Sequence, residues 1–142
     1  MKKLLFIIPA LFFQTMQAQQ KEPLKFNDKG EFKIVQFTDV HFKYKNPASD
    51  VALECIDRVL DAEKPELVIF TGDVVYNSPA DTAMITVLSH VSKRNIPFVV
   101  TLGNHDDEQN LTREQLYNVA RSVKGNIQPD NQTDFVLRVN SK

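Results

Sequence analysis

Leu67-Val68-Ile69-Phe70 is a short, unbroken apolar run that ends in Thr71-Gly72. Such a run suits a parallel strand covered on both faces better than an edge ribbon. Helical patterns flank it. Before it, Asn46-Pro47 offers a cap with proline at the first helical position, and Val51, Cys55 and Val59 with Ala52, Ile56 and Leu60 form one stripe that runs to Pro65. After it, Ala83, Val87 and Val91 with Met84 and Leu88 repeat the helical spacing over residues 80–94, and Pro97-Phe98-Val99-Val100-Thr101 reads as a further strand ending in Leu102-Gly103. Thr112 and Gln115 form a capping box for a helix carrying Leu116, Val119, Ala120 and Val123 and closed by Gly125. Residues 24–26 and 31–37, joined by the turn residues Asn27-Asp28-Lys29-Gly30, read as a hairpin, and residues 135–139 as a last strand. Strand and helix alternating three times over short links define an α/β fold with a mainly parallel sheet, right-handed crossovers and flanking helices. No repeat or linker divides residues 19–142, which are expected to form one domain.

Composition bounds the function. With 42% hydrophobic and 25% charged residues, the 142-residue chain has the balance of an ordinary packed domain. A formal net charge of -1, without a run of five like charges, leaves no electrostatic surface for nucleic acid. Met1-Lys2-Lys3, the apolar stretch from Leu4 to Phe13 and the polar stretch ending at Ala18 match the basic, apolar and cleavage regions of a signal peptide over residues 1–18. The apolar part is too short for a membrane anchor and no second such segment follows, so the expected location is secreted or periplasmic. Cys55 is the one cysteine, which excludes an intramolecular disulfide, and its place in the helical stripe predicts a buried, inert thiol.

In a parallel sheet the carboxyl ends of the strands share one edge, where ligands bind. The three strands run into Thr38-Asp39-Val40-His41, Thr71-Gly72-Asp73-Val74 and Leu102-Gly103-Asn104-His105-Asp106. Carboxylates and imidazoles without thiolates suit manganese, iron or zinc. If residues 39–41 remain extended, Asp39 and His41 point the same way and reach one ion. Asp73 has two oxygens and so can bridge two ions about 3.5–4 Å apart, as two-metal phosphoryl transfer requires. Taken singly, Asp39 or Asp73 would serve as a helix cap and His105 as a turn residue. Gly-Asn-His-Asp, however, should arise by chance in only about one such chain in a few thousand. His90, beside Lys93 and Arg94 and away from every strand end, reads as a solvated helix-surface histidine.

These three motifs resemble those of the calcineurin-like metallophosphoesterases, which include the purple acid phosphatases: Asp39-Val40-His41 the first, Gly72-Asp73-Val74-Val75 the second, Gly103-Asn104-His105-Asp106 the third. The resemblance covers about residues 31–139 and implies part of a four-layer α-β-β-α sandwich holding two divalent ions. It implies that Asp39 and His41 ligate the first metal, that Asp73 bridges both, and that Asn104 ligates the second. His105 would face the phosphate of a phosphoester substrate, oriented by Asp106.

The family pattern continues with another histidine ligand and a Gly-His-x-His motif, whereas the histidines here are His41, His90 and His105. The chain is therefore expected to be the N-terminal part of an exported metallophosphoesterase, truncated before its last ligands and binding one metal weakly. A reading from another class makes it a non-catalytic secreted fragment that binds a partner. That partner would be a C-terminal half supplied in trans or, through an uncovered apolar sheet face, a second copy.

Overall fold

The computed structural model describes residues 23–130 and 132–141; the leader expected over residues 1–18 lies outside them. The elements run β1 (Leu24–Lys25), β2 (Ile34–Phe37), α1 (Pro47–Glu63), β3 (Leu67–Thr71), α2 (Ala80–Ser92), β4 (Phe98–Thr101), a 3-10 turn (Asp106–Glu108), α3 (Arg113–Ser122) and β5 (Val139–Asn140). Strands β2, β3 and β4 form a parallel sheet in that order, with Val35 opposite Val68 and Val68 opposite Phe98. Both crossovers step in the same direction across the sheet, so right-handedness places α1 and α2 on one face. There α2 packs between α1 and α3. The α/β architecture expected from the alternation is present.

Local chemistry explains the helix ends. The Asn46 side chain accepts from the Ala48 amide at 3.0 Å with Pro47 at the first helical position. At α3 the capping box closes in both directions between Thr112 and Gln115. The core lies between helices and sheet, where Phe70, Phe98, Val68 and Val100 meet Met84, Val87, Leu88, Leu116 and Ala120. On the opposite face Val99 is buried and Ile69 half-buried, but Ile34 is 49% exposed.

Three local expectations are corrected. Asn27 does build a turn, accepting from the amides of Lys29 and Glu31, yet β1 pairs in parallel with β5, Leu24 opposite Val139, instead of folding back on β2 as a hairpin. The strand expected over residues 135–139 is reduced to Val139–Asn140 for the same pairing. The stripe on α1 is rotated: Ile56 and Leu60 are buried, Val51 is 62% exposed, and Cys55 is exposed.

His90 is not free in solvent. Its Nδ1 lies 2.8 Å from Asp57 Oδ1, which also accepts from Arg94 at 2.7 Å, while Arg94 Nε reaches Asp61 at 2.8 Å. This network ties α1 to α2. Burial alone would raise the Asp57 pKa, but the hydrogen bonds from His90 and Arg94 outweigh it and hold the carboxyl below its ordinary value.

Because Cys55 stands on the solvent side of α1, it should react with a disulfide reagent in the folded chain within about tenfold of its rate in denaturant. Protection far beyond that, measured by thiol titration with and without denaturant, would restore the buried-thiol reading.

Candidate metal centre

The segments that follow β2 and β3 continue their parallel pairing past the strands. The amides of Asp39, His41 and Phe42 donate to the carbonyls of Gly72, Asp73 and Val74 at 3.1, 2.8 and 3.0 Å. To keep this pairing while curling over the edge, Asp39, His41 and Asp73 adopt left-handed backbone angles, φ 53°, 47° and 52°. Such angles cost about 1–2 kcal/mol for residues with a side chain, and Asp and His are among those that tolerate them. The expected extended path for residues 39–41 is thus replaced by two left-handed residues flanking Val40.

Two glycines allow β3 and β4 to meet. A side chain on Gly72 (φ 109°) would come within 2.9 Å of the Gly103 Cα, and one on Gly103 within 2.6 Å of the Asp73 amide nitrogen. Neither position has room for a Cβ. The junction is closed by Asp106, fully buried, whose Oδ2 accepts from the amides of Asp73 (2.9 Å) and Gly103 (2.8 Å) and whose Oδ1 accepts from Val74 (2.8 Å) and Val75 (2.9 Å). Asp106 therefore does not orient the His105 ring, as the motif suggested; its acceptor sites are taken by four backbone amides.

Asp73, 9% exposed, presents its carboxylate above this junction. Its Oδ1 accepts from the His105 amide at 2.9 Å, and its Oδ2 lies 3.6 Å from His41 Nε2. His41 Nδ1 sits 3.2 Å from the Asp39 carbonyl. A carbonyl can only accept, so Nδ1–H donates to it and Nε2 is the ring nitrogen that faces Asp73. A metal held there would take Nε2, with Nδ1–H anchored on the backbone carbonyl.

His105 is held by Glu108, three residues on, through Nδ1 and Oε2 at 2.8 Å. This bond is the largest cause of a raised His105 pKa; burial opposes it, and the charges of Glu108, Asp73 and Asp106 add to it through space. Tyr76 packs against both imidazoles, its ring centroid 5.2 Å from each and nearly perpendicular to both, while the imidazole centroids lie 5.6 Å apart. Arg113 fixes the loop from α3, donating to the carbonyls of Leu102 and Gly103 at 2.8 and 2.7 Å.

Donor atoms of His41, Asp73 and His105 lie within 4.8 Å of one another. Nitrogen and carboxylate donors in this number fit manganese, iron or zinc. Asp39 stands outside that group, exposed and accepting from its neighbour Thr38 at 2.6 Å. Asn104 is exposed in the loop that follows β4. Sequence reasoning missed Glu108, Tyr76 and Arg113. The acidic run from Asp106 to Glu108 was visible, but only the turn decides which acid meets the imidazole. Among the described residues, a cleft of about 550 Å³ at the opposite edge, lined by Leu24, Phe32, Pro97 and Ile127, carries no comparable donor cluster.

A calcineurin-like phosphoesterase family model matches residues 32–138, and the chain belongs to that family. It is 37% identical over 114 residues to the phosphatase DCR2 of Saccharomyces cerevisiae, covering 68% of this chain and 20% of that protein. It is 34% identical over 116 residues to the probable inactive purple acid phosphatase 29 of Arabidopsis thaliana, covering 70% and 30%. To the probable glycerophosphodiester phosphodiesterase GpdQ of Arcobacter nitrofigilis it is 34% identical over 89 residues, covering 57% and 32%. The chain thus spans a fifth to about a third of the length of these relatives.

Glu108→Gln should lower the His105 pKa toward the ordinary histidine value in the metal-free chain, measured by NMR titration of the ring protons. A folded pKa above the unfolded one adds stability that is complete below about 6.5 and is lost as the pH rises through the folded value. The variant should lose that pH-dependent part. An unchanged His105 titration would show that Glu108 does not control the ring.

Proposed function

We propose that this edge is the metal-binding part of a phosphoester hydrolase, with His41 and Asp73 as metal ligands and His105 as the proton donor. What supports the reading is the meeting of His41, Asp73 and His105 at the carboxyl ends of three parallel strands in a chain of this family. A divalent ion bound there supplies positive charge that polarises the phosphoryl group and neutralises its oxygens. The chain's own residues then divide the work. His41 offers its Nε2 lone pair, and Asp73 offers a carboxylate fixed by the His105 amide. An imidazolium has no lone pair for a metal, so the raised pKa of His105 favours donation over ligation. With Nδ1 on Glu108, its Nε2–H is left to hydrogen-bond the phosphoryl oxygen or to protonate the departing alkoxide. Asp39 and Asn104, exposed on the flanking loops, are the other ligands the family resemblance implies within these residues.

Among the described residues His90 is committed to Asp57, so no further imidazole is at hand for a second ion. We therefore propose one weak metal site in these 142 residues, with the remaining ligands coming from a further polypeptide segment, in the same chain, in trans or from a second copy. The names of relatives such as the probable inactive purple acid phosphatase 29 support a second reading, a metal-holding module without turnover. Export through the leader-like residues 1–18 is proposed with either.

The chain should bind about one equivalent of manganese weakly by calorimetry, and Asp73→Asn should abolish it. Hydrolysis of p-nitrophenyl phosphate should stay barely above background. If a second ion contributes about 4 kcal/mol at the transition state, its loss slows turnover roughly a thousandfold. Adding a segment with Gly-His-x-His should restore turnover. Two tight, equal sites, or no metal binding at all, would contradict the proposal.

A further inference from the structure

Beside the imidazoles lies a cation that the metal chemistry does not use. Lys43 Nζ stands 4.9 Å from the centroid of the Tyr76 ring, the same ring that contacts both His41 and His105. Its side chain is half-buried, and among the described residues no carboxylate comes within ion-pair distance of it. The backbone beneath it is tied on both sides. The Phe42 amide donates to the Val74 carbonyl and the Phe42 carbonyl accepts from the Tyr76 amide. The Tyr44 amide donates to Asn77 Oδ1 at 2.7 Å while Asn77 Nδ2 donates back to the Tyr44 carbonyl at 3.0 Å. The Lys43 amide itself donates to Ser49 Oγ at 3.2 Å. Lys43 thus stems from a fixed backbone position instead of a loose loop tip.

An unpaired ammonium at the rim of a metal site attracts a second negative charge on whatever the site holds. The metal and His105 answer for the phosphoryl group, and Lys43 Nζ stands no farther from either imidazole centroid than the 4.9 Å and 5.2 Å steps through the Tyr76 ring laid end to end. We propose that Lys43 is a specificity determinant for phosphoesters whose alcohol part carries its own anionic group, a carboxylate or a second phosphate. This rests on reading the site as a phosphoesterase. Tyr76 holds the ammonium by its ring face while leaving the N–H donors free to turn toward the ligand.

The matched probes are 3-phosphoglycerate and glycerol 3-phosphate, which differ by one carboxylate, titrated calorimetrically into the manganese-saturated full chain. The carboxylate-bearing ester should bind about fivefold more tightly, as a partly screened ion pair allows. Lys43→Gln should erase the preference and Lys43→Arg should keep it. Lys45→Gln, which removes an equal charge from an exposed lysine over Tyr44, should leave it intact. A preference that survives Lys43→Gln, or that falls equally in Lys45→Gln, overturns the inference while leaving the phosphoesterase reading in place. Manganese binding without binding of either ester overturns both.

Discussion

One buried carboxylate holds the site together. Asp106 accepts four backbone N–H bonds, from Gly103 at the end of β4 and from Asp73, Val74 and Val75 at the end of β3. Hydrogen bonds to an ionised acceptor are stronger than neutral ones, and a buried carboxylate without partners would be strongly unfavourable. The two loops therefore have one low-energy arrangement, with the Asp73 side chain on the open side of the junction. Gly72 and Gly103 make that arrangement sterically possible, because neither has space for a Cβ. The left-handed angle at Asp73 lies within this closure, and those at Asp39 and His41 follow from the pairing of their amides with the Gly72 and Asp73 carbonyls beside it.

The consequences reach both histidines. Once Asp73 is fixed, its Oδ1 takes the His105 amide and its Oδ2 faces His41 Nε2. His105 then begins the 3-10 turn whose Glu108 draws its ring to one side and keeps it protonated to higher pH. Arg113 connects the loop to α3, and α3 to the core through Leu116 and Ala120. The helices on one face of the sheet thus act on the site mainly by holding its loops still.

The alternation of apolar runs and helical stripes made the fold class readable, and the caps at Asn46 and Thr112 located two helix starts, because these signals are local. Pairing of β1 was not readable, since its partner β5 lies at the other end of the described chain. On α1 two adjacent apolar rows competed, and only contact with the sheet decides that Ile56 and Leu60 face inward and Cys55 does not. The three strand-end motifs were legible in the sequence, and the structure brings His41, Asp73 and His105 from them to one edge. Their inner wiring was not legible. Adjacency suggested that Asp106 serves His105, but neighbours on a helical turn point apart, and residues three apart face each other. Glu108 therefore takes the ring, and Asp106 turns inward to the amides.

Amide hydrogen exchange on Asp106→Asn tests the account most directly. A carboxamide keeps one acceptor oxygen and places an NH2 where the other stood, so two of the four bonds lose their acceptor. One pair of amides, Asp73 with Gly103 or Val74 with Val75, should exchange at least about tenfold faster than in the unaltered chain while core amides such as Leu88 stay protected, and manganese binding should fall with them. Equal protection of all four amides in the variant, with metal binding retained, would contradict the claim that Asp106 builds the site.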